Sequence, residues 1–566
     1  MSTLAEVEFF TVVDEDKKVL PEKYYHTYYH DLLAFIESKY QHLLSTAEKR
    51  FIVEFKKLDT DSQCLYLRLQ NRKGKFFRFS KFSYPEILDI RKSLQILIKK
   101  GFSAVVDIEI YEEIAHVLNL YNRNELVELA QFFEIPKAGF SKLKKLELVN
   151  FLLKQIPLEE LISCFQDDPV IVQKYAEEAQ MIQFLYFGTT NLDMSQFVIR
   201  DLGNMRFEAI NEELLSAGFE SRKDAEDKLM LSLAYKFFRE VRQEGDGEDF
   251  YNLISCWLEN THEISSTAQP LYDRLILRSA RFLEQQRLFE EALQIYAYTN
   301  KAPSRERRIR ILHKRGEVEA ALSLCNAIIE CPENADEKYF AKDFLTKLEG
   351  KKFIKSTRRF QKQSETITIS SSWQYQVEMG VLDYYMNEKQ MQGFFSENFL
   401  WRALFGLFFW DIIFDEAATG FHNPFQRSPD DLFTSDFLIG RKAAIEEKLS
   451  LLKNKKQLFE QLTNTYNEKY GMANPVISWF EDLLPMLQIF ISKVDTKALR
   501  EVLISMCENL RDNSRGFPDL FIWDADTYLF VEVKSPNDTL SAQQLHWLEL
   551  FNEVGINAQL MNVQWK

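Results

Sequence analysis

The stretch GFPDLFIWDADTYLFVEVK, residues 516–534, constrains this chain more than any other. Leu520 to Trp523 and Tyr528 to Val533 are short apolar runs, DADT between them is turn-like, and Pro536 ends the second run. The pattern predicts a β-hairpin. Side chains alternate along a strand, so Glu532 and Lys534 share one face while Leu529, Val531 and Val533 take the other. Asp519 comes from the neighbouring strand. With the strands paired, Asp519 and Glu532 can share a divalent cation, and the Val533 carbonyl supplies a further hard oxygen. Lys534 then stands beside the ion. Phosphodiester hydrolysis needs such groups: a hard cation to polarise the phosphoryl oxygen and an ammonium to hold or activate the attacking water.

Spacing alone does not single out this site. Pro429-Asp430 followed by Glu446-Glu447-Lys448 matches the string Pro518-Asp519 followed by Glu532-Val533-Lys534 equally well. Its EEK, however, lies in RKAAIEEKLSLL, an amphipathic helix pattern in which the two-strand geometry is impossible. Downstream of the hairpin, SPNDTLSAQQLHWLELFNEVG predicts a loop and a helix beginning near Ser541, with Gln544 able to face the strands. NAQLMNVQW predicts a last strand. Upstream, GFFSENFLWRALFGLFFWDIIF predicts a very apolar helix with Ser396 as N-cap and Glu397 in the first turn.

Elsewhere the chain reads as helical. In 566 residues Gly (18) and Pro (14) are scarce while Phe (47) and Tyr (23) abound, which excludes low-complexity, collagenous and turn-rich all-β designs. That length supports several cores. The six cysteines (Cys64, Cys164, Cys256, Cys325, Cys331, Cys507) are scattered without disulfide-like spacing. The acidic MSTLAEVEFFTVVDEDKK lacks the basic start of a signal peptide, and the most hydrophobic stretch, Phe399 to Phe414, is broken by Arg402 and Asp411. A soluble intracellular protein is expected.

A net charge of −15 argues against a nucleic-acid partner until its distribution is considered. Residues 66–81 carry Arg68, Arg72, Lys73, Lys75, Arg78 and Lys81 among the aromatics Tyr66, Phe76, Phe77 and Phe79, a mixture suited to a phosphate backbone with bases nearby. Residues 120–156 predict two short amphipathic helices around PKAGFSKLKK, with Lys137, Lys142, Lys144 and Lys145 placed to meet phosphates; this resembles a SAP motif. From about 170 to 350 helix follows helix, and EEALQIY (290–296) is echoed by EAALSLC (319–325), with Ala292 and Ala321 where packed helices approach closely. That suggests a TPR-like stack. Between the copies, residues 301–315 hold Lys301, Arg305, Arg307, Arg308, Arg310, Lys314 and Arg315, and 351–362 add Lys351, Lys352, Lys355, Arg358, Arg359 and Lys362. A basic track on an acidic body attracts DNA and also orients it.

The hairpin spacing is that of the PD-(D/E)XK nucleases. GFFSENFLWRALFGLFFWDIIF, HNPFQRSPDDLFTSDF and FPDLFIWDADTYLFVEVKSPNDTLSAQQLHWLE resemble the Fanconi anaemia-associated nuclease family, the VRR-NUC branch of that superfamily. The order of basic N-terminal region, SAP motif, TPR-like helices and C-terminal nuclease matches as well. The resemblance implies Glu397, Asp519 and Glu532 as metal-ligand carboxylates with the Val533 carbonyl, Lys534 as catalytic lysine and Gln544 as a supporting active-site residue. It also implies a Mg²⁺- or Mn²⁺-dependent structure-specific DNA nuclease, cutting 5′ flaps and acting 5′ to 3′, in interstrand crosslink repair.

Vertebrate members carry an N-terminal ubiquitin-binding zinc finger, which needs clustered Cys and His. Here the eight histidines (His26, His30, His42, His116, His262, His313, His422, His546) are dispersed, so the bacterial architecture is expected. The fold expected is a mainly α multidomain chain with a C-terminal α/β nuclease. Its parts are a basic DNA-binding region (1–110), a SAP-like domain (111–165), a TPR-like domain (166–380) and a VRR-NUC domain with a helical insertion (381–566). Expected partners are flap, nicked or branched DNA, with arginines 305–315 as a pocket for a 5′-phosphate end, and no membrane. The compartment expected is the bacterial cytoplasm at the nucleoid, or the nucleus in a eukaryote. Two alternatives stand beside this reading. One is a four-way-junction resolvase, whose dimer the insertion around 415–510 would obstruct; the other is a non-catalytic DNA-binding scaffold, against which intact Asp519, Glu532 and Lys534 argue.

Overall fold

A computed structural model describes residues 20–107, 113–165, 168–203, 205–211, 213, 215, 217–348, 354–415 and 420–566. The chain divides into two compact units, Met1–Asn204 and Met205–Lys566.

The first unit opens with three helices, α1 (Tyr24–Lys39), α2 (Thr46–Lys56) and α3 (Thr60–Gln70). The aromatic stripe Tyr25, Tyr28, Tyr29, Leu32, Leu33 and Phe35 forms the buried face of α1. Ser45 and Glu48 close a reciprocal capping box on α2, and the Asp59 carboxylate accepts the Ser62 N–H at the start of α3. These caps fix a three-residue connection between α2 and α3. A small antiparallel sheet follows, built from β1 (Phe76–Arg78), β2 (Ser103–Val105) and β3 (Val170–Gln173) in the order β1-β3-β2. The SAP-like helices, Arg123–Phe132 and Lys145–Gln155, are inserted between β2 and β3. They share one core with the sheet: Leu126, Ala130, Leu148, Val149 and Leu152 pack with Phe76 and Val172. The first residues of segment 166–380 therefore complete this sheet.

In the second unit, helices Arg222–Glu244, Gly247–Glu259, Gln269–Gln285, Phe289–Tyr296, Ser304–Lys314, Val318–Glu330 and Ala335–Leu348 stack in sequence. Ala292 and Ala321, the small residues of the repeat, are fully buried where neighbouring helices meet. The last helix of the stack docks on the C-terminal α/β core: Ala335 and Tyr339 pack with Leu545, Leu548 and Leu560.

That core is a five-stranded mixed sheet. Its strands are β4 (Glu365–Ile369), β5 (Gln392–Phe395), β6 (Leu520–Trp523), β7 (Tyr528–Lys534) and β8 (Ala558–Trp565), in the order β4-β8-β7-β6-β5. The expected hairpin is β6-β7, with Leu520 opposite Val531, and helix Ala542–Glu553 crosses over to the parallel strand β8. Leu520, Ile522, Val531 and Val533 face helix Val377–Glu388 through Val381, Leu382 and Tyr385. The opposite face meets an aromatic layer in which Trp401, Phe517, Phe530, Trp547 and Phe551 stack at centroid distances of 4.2 to 5.9 Å. The decoy carboxylates Glu446 and Glu447 lie in helix Asp436–Ser450. All six cysteines are free thiols. Among the described residues no helix is long and apolar enough to cross a membrane.

Candidate active site

Strand β7 alternates as its sequence requires, so Glu532 and Lys534 lie on the face of Phe530, at the edge of the aromatic layer. Asp519, just before β6, reaches across the hairpin: its Oδ2 accepts the Val533 N–H at 2.8 Å. Burial raises the Asp519 carboxyl to about 7; Glu397 and Glu378 add repulsion, and the Val533 N–H and Lys534 oppose the rise. Glu532 is fully buried, and burial first, then Asp519 and Glu397, drive its carboxyl well above the ordinary range. For Lys534 burial disfavours the cation, but the Glu532 and Asp519 carboxylates outweigh it and hold the ammonium above its usual value.

The contacts of Glu532 are lopsided. Its Oε1 accepts from Lys534 Nζ at 2.8 Å and from Gln544 Nε2 at 2.5 Å. Its Oε2 is buried with no hydrogen-bond partner among the described residues. A buried, unpartnered carboxylate oxygen is costly unless something cationic meets it. Oε2, the Asp519 carboxylate and the Val533 carbonyl are hard oxygen donors of the kind Mg²⁺ and Mn²⁺ prefer, so these residues fit a divalent cation. Among the described residues no three acidic, His or Cys side chains already converge as a ligand set. Lys534 and Gln544 hold one Glu532 oxygen instead. Gln544 has two tasks, since it is also the third residue of a capping box with Ser541 at the start of helix Ala542–Glu553.

Glu397 differs from its expected setting. Ser396 does not cap the apolar helix, which starts at Phe399 with Asn398 before it. Ser396 instead extends the β5-β6 ladder, its N–H donating to the Asp519 carbonyl at 2.7 Å and its hydroxyl to the Pro518 carbonyl at 3.1 Å. Glu397 is exposed, in the turn between strand and helix. Its charge nonetheless bears on both Asp519 and Glu532.

The basic residues divide into two kinds. Several are tied up internally. Arg68 pairs with Glu86 at 2.6 Å and stacks on Tyr25, Lys75 pairs with Glu113, and Arg78 joins Glu125 to Asp168. Arg72 donates to the Lys81 carbonyl. In 301–315, Lys301 pairs with Glu333, Arg305 with buried Glu337, Arg307 with Glu284, Arg310 with Glu306, and Arg315 with Glu290 and Glu317. Arg308 is half-buried near Asn300, and Lys314 lies over Phe289. Tyr66, Phe76 and Phe77 are core residues, not available for base stacking. The second kind is exposed: Lys73, Lys81, Lys137, Lys142 and Lys144 in the first unit, and Lys355, Arg358 and Arg359 in the second, with Lys145 bonded to the Asn119 carbonyl. Lys352 lies outside the described residues. Helix Ser356–Gln363, which carries Arg358 and Arg359, is fixed beside the site because Gln361 donates to the Asp538 carbonyl and accepts the Leu540 N–H. His422 pairs with Asp430 at 3.1 Å, and His546 is half-buried.

One element escaped the sequence reading. The FAN1, HTH domain matches residues 23–104, and the capping box of α2 with Asp59 three residues before Ser62 is the signal that marks its paired helices. Residues 62–67 and 69 of α3 are buried, so that helix serves as core, not as a groove-reading surface. The VRR-NUC domain matches residues 453–565, which include Asp519, Glu532, Lys534 and Gln544. A Fanconi-associated nuclease 1 homolog of Pseudomonas aeruginosa is 28% identical over 96% of this chain and 97% of its own length. The Arabidopsis thaliana homolog and human Fanconi-associated nuclease 1 are 26% and 23% identical over 92% of this chain, which spans 65% and 60% of their lengths. A crystal structure of paFAN1 bound to a 2nt 5′ flap DNA with gap superposes with a TM-score of 0.80 at 27% identity, covering 97% of this chain and 99% of that one. The two matched domains and a likeness running from end to end make this chain similar to the Fanconi-associated nucleases.

Proposed function

We propose that this chain is a divalent-cation-dependent, structure-specific DNA nuclease that cuts 5′ flaps, acts 5′ to 3′ and serves interstrand crosslink repair. The observation that carries the reading is the buried group of Asp519, Glu532 and Lys534 on paired strands, with Glu532 Oε2 left without a partner. The paFAN1 flap complexes support the substrate class. Asp519 and Glu532, with the Val533 carbonyl and Glu397, would hold Mg²⁺ or Mn²⁺, which when bound polarises the scissile phosphate. Lys534 holds the attacking water and offsets charge gathering on the phosphate oxygens. Gln544 keeps Glu532 from rotating.

DNA is drawn in by the exposed bases of each unit. In the first, Lys73, Lys81 and the SAP-like Lys137, Lys142 and Lys144 suit phosphates; in the second, Lys355, Arg358 and Arg359 flank the site. The ion-paired Arg305, Arg307, Arg310 and Arg315 hold the helical stack together and leave Arg308 and Lys314 for a 5′ end. The working compartment is the cytoplasm at the nucleoid in a bacterium, or the nucleus in a eukaryote. Labelled flap, nicked and four-way substrates, each with Mg²⁺, Mn²⁺ or EDTA, test the reading. Metal-dependent cutting of the flap supports it; a preference for four-way junctions selects a resolvase, and binding without cutting in any metal selects a scaffold.

A further inference from the structure

The residue after Glu397 sits in an uncommon conformation. Asn398 has φ +53° and ψ −42°, and the Phe399 N–H donates to the Glu397 carbonyl at 2.5 Å across it. This is a γ-turn of positive φ, rare for a residue with a side chain and found where surrounding structure enforces it. Strand β5 pairs with β6 up to Phe395 opposite Leu520, and Ser396 continues the ladder onto Asp519. The chain then turns into the helix, so it has no main-chain carbonyl for the next N–H, that of Phe517. The Asn398 side chain replaces it: Oδ1 accepts the Phe517 N–H at 3.2 Å, and Nδ2 donates to Glu397 Oε1 at 3.2 Å. The Phe517 N–H can only donate, which fixes the amide's orientation and turns its own donor toward the carboxylate.

We propose that Asn398 is a positioning residue that ties the Glu397 carboxylate to the Phe517–Asp519 segment, so that Glu397 and Asp519 close on the same divalent cation. The proposal rests on the nuclease reading above. Glu397 is exposed, so packing does not hold it, yet it must meet the two buried carboxylates of Asp519 and Glu532. The γ-turn brings the backbone to the right place, and the amide removes the rotamer freedom that an exposed glutamate otherwise keeps. The residue choice follows. Glycine would accept the turn but hold nothing; aspartate would accept from Phe517 yet present a second anion to Glu397; glutamine is one methylene too long for both bonds.

The test compares full-length wild type, Asn398→Gly, Asn398→Asp, Glu397→Gln and the Glu397→Gln/Asn398→Gly double variant. Mn²⁺ binding is measured by isothermal titration calorimetry without DNA, and flap cleavage is measured across Mn²⁺ concentrations. Melting in EDTA checks the fold. Asn398→Gly is expected to weaken Mn²⁺ binding by about 10-fold, in the range for a residue that orients a metal ligand. Its kcat should fall at limiting Mn²⁺ and recover at high Mn²⁺, with KM for the flap within about 2-fold. Asn398→Asp should bind Mn²⁺ no better than Asn398→Gly. Adding Asn398→Gly to Glu397→Gln should weaken binding no further. Unchanged Mn²⁺ affinity in Asn398→Gly, or a full additional loss in the double variant, overturns the proposal. Wild type that binds Mn²⁺ but cuts no flap contradicts the nuclease reading, and the binding comparison still decides the role of Asn398.

Discussion

Replacing Asp519 with asparagine should make the cation-free protein more stable at pH 8. Burial, with Asp519 only 8% exposed, raises its carboxyl to about 7. In the unfolded chain an aspartic acid titrates near 3.9. Between about pH 4 and 7 the folded state therefore keeps a proton that the unfolded state has lost, so this group's contribution falls as pH rises through that window and is lowest above 7. The full difference, roughly three pKa units at about 1.4 kcal/mol each, is on the order of 4 kcal/mol. For a unit of about 360 residues with an unfolding entropy of about 2.1 cal/mol/K per residue, that is a Tm gain of about 5 °C. The amide oxygen of asparagine can still accept the Val533 N–H, so the variant removes the charge without removing that bond. Calorimetric melting of both proteins in EDTA from pH 5 to 8.5 reads the effect. Wild type should lose Tm across the window, and the variant should follow a flatter curve that lies above it at pH 8. Equal pH slopes with no gain at pH 8 would refute the argument that Asp519 is a buried charge awaiting a cation.

Other variants separate structure from recognition. Arg305→Ala leaves the Glu337 carboxylate, 1% exposed, without its ion-pair partner and with only the Glu333 N–H, and should cost about 3 to 5 kcal/mol of stability in thermal melts. An Arg358→Ala/Arg359→Ala variant should melt as wild type but bind flap DNA more weakly, with the salt slope reduced by about 2 in fluorescence anisotropy titrations. Gln544→Ala removes both a capping-box member and the Glu532 contact, so a loss of about 1 kcal/mol should accompany a 10- to 100-fold fall in metal affinity or cleavage. Saturating Mn²⁺, at about 100 times its Kd, should add about 2.7 kcal/mol to wild type, and far less to Asp519→Asn.

How much of this was legible in the sequence depends on the distance over which each feature is encoded. The hairpin was legible because strand alternation is local: once β6 and β7 pair, Asp519, Glu532 and Lys534 can only meet on one face. Helix Ala542–Glu553 was legible from its cap at Ser541. Glu397 entered by resemblance, and its setting was misread because a γ-turn at an asparagine has no composition signal and Ser396 looks like an N-cap. The basic runs were counted without their acids, since the partners of Arg305 and Arg307 lie 32 and 23 residues away. The short strands VIVQ and ETITI were missed for the same reason. Val170–Gln173 is specified by β1 and β2, about 70 to 90 residues earlier, and Glu365–Ile369 by β8, nearly 200 residues later. The helix pair at the N-terminus carried its caps openly but was read only as a run of basic residues among aromatics.

On the proposed mechanism Lys534, beside the buried carboxylates, acts in chemistry and not in binding. Cleavage and binding of a 5′-flap duplex by wild type and Lys534→Ala, in Mg²⁺ and in EDTA, test it most directly. Wild type should cut only with metal, while the variant should keep flap affinity within about 2-fold and lose at least about 100-fold in cleavage, the scale on which a positioned proton-transfer or charge-stabilising group acts. Cutting by Lys534→Ala at the wild-type rate, or cutting by wild type that persists in EDTA, would contradict it.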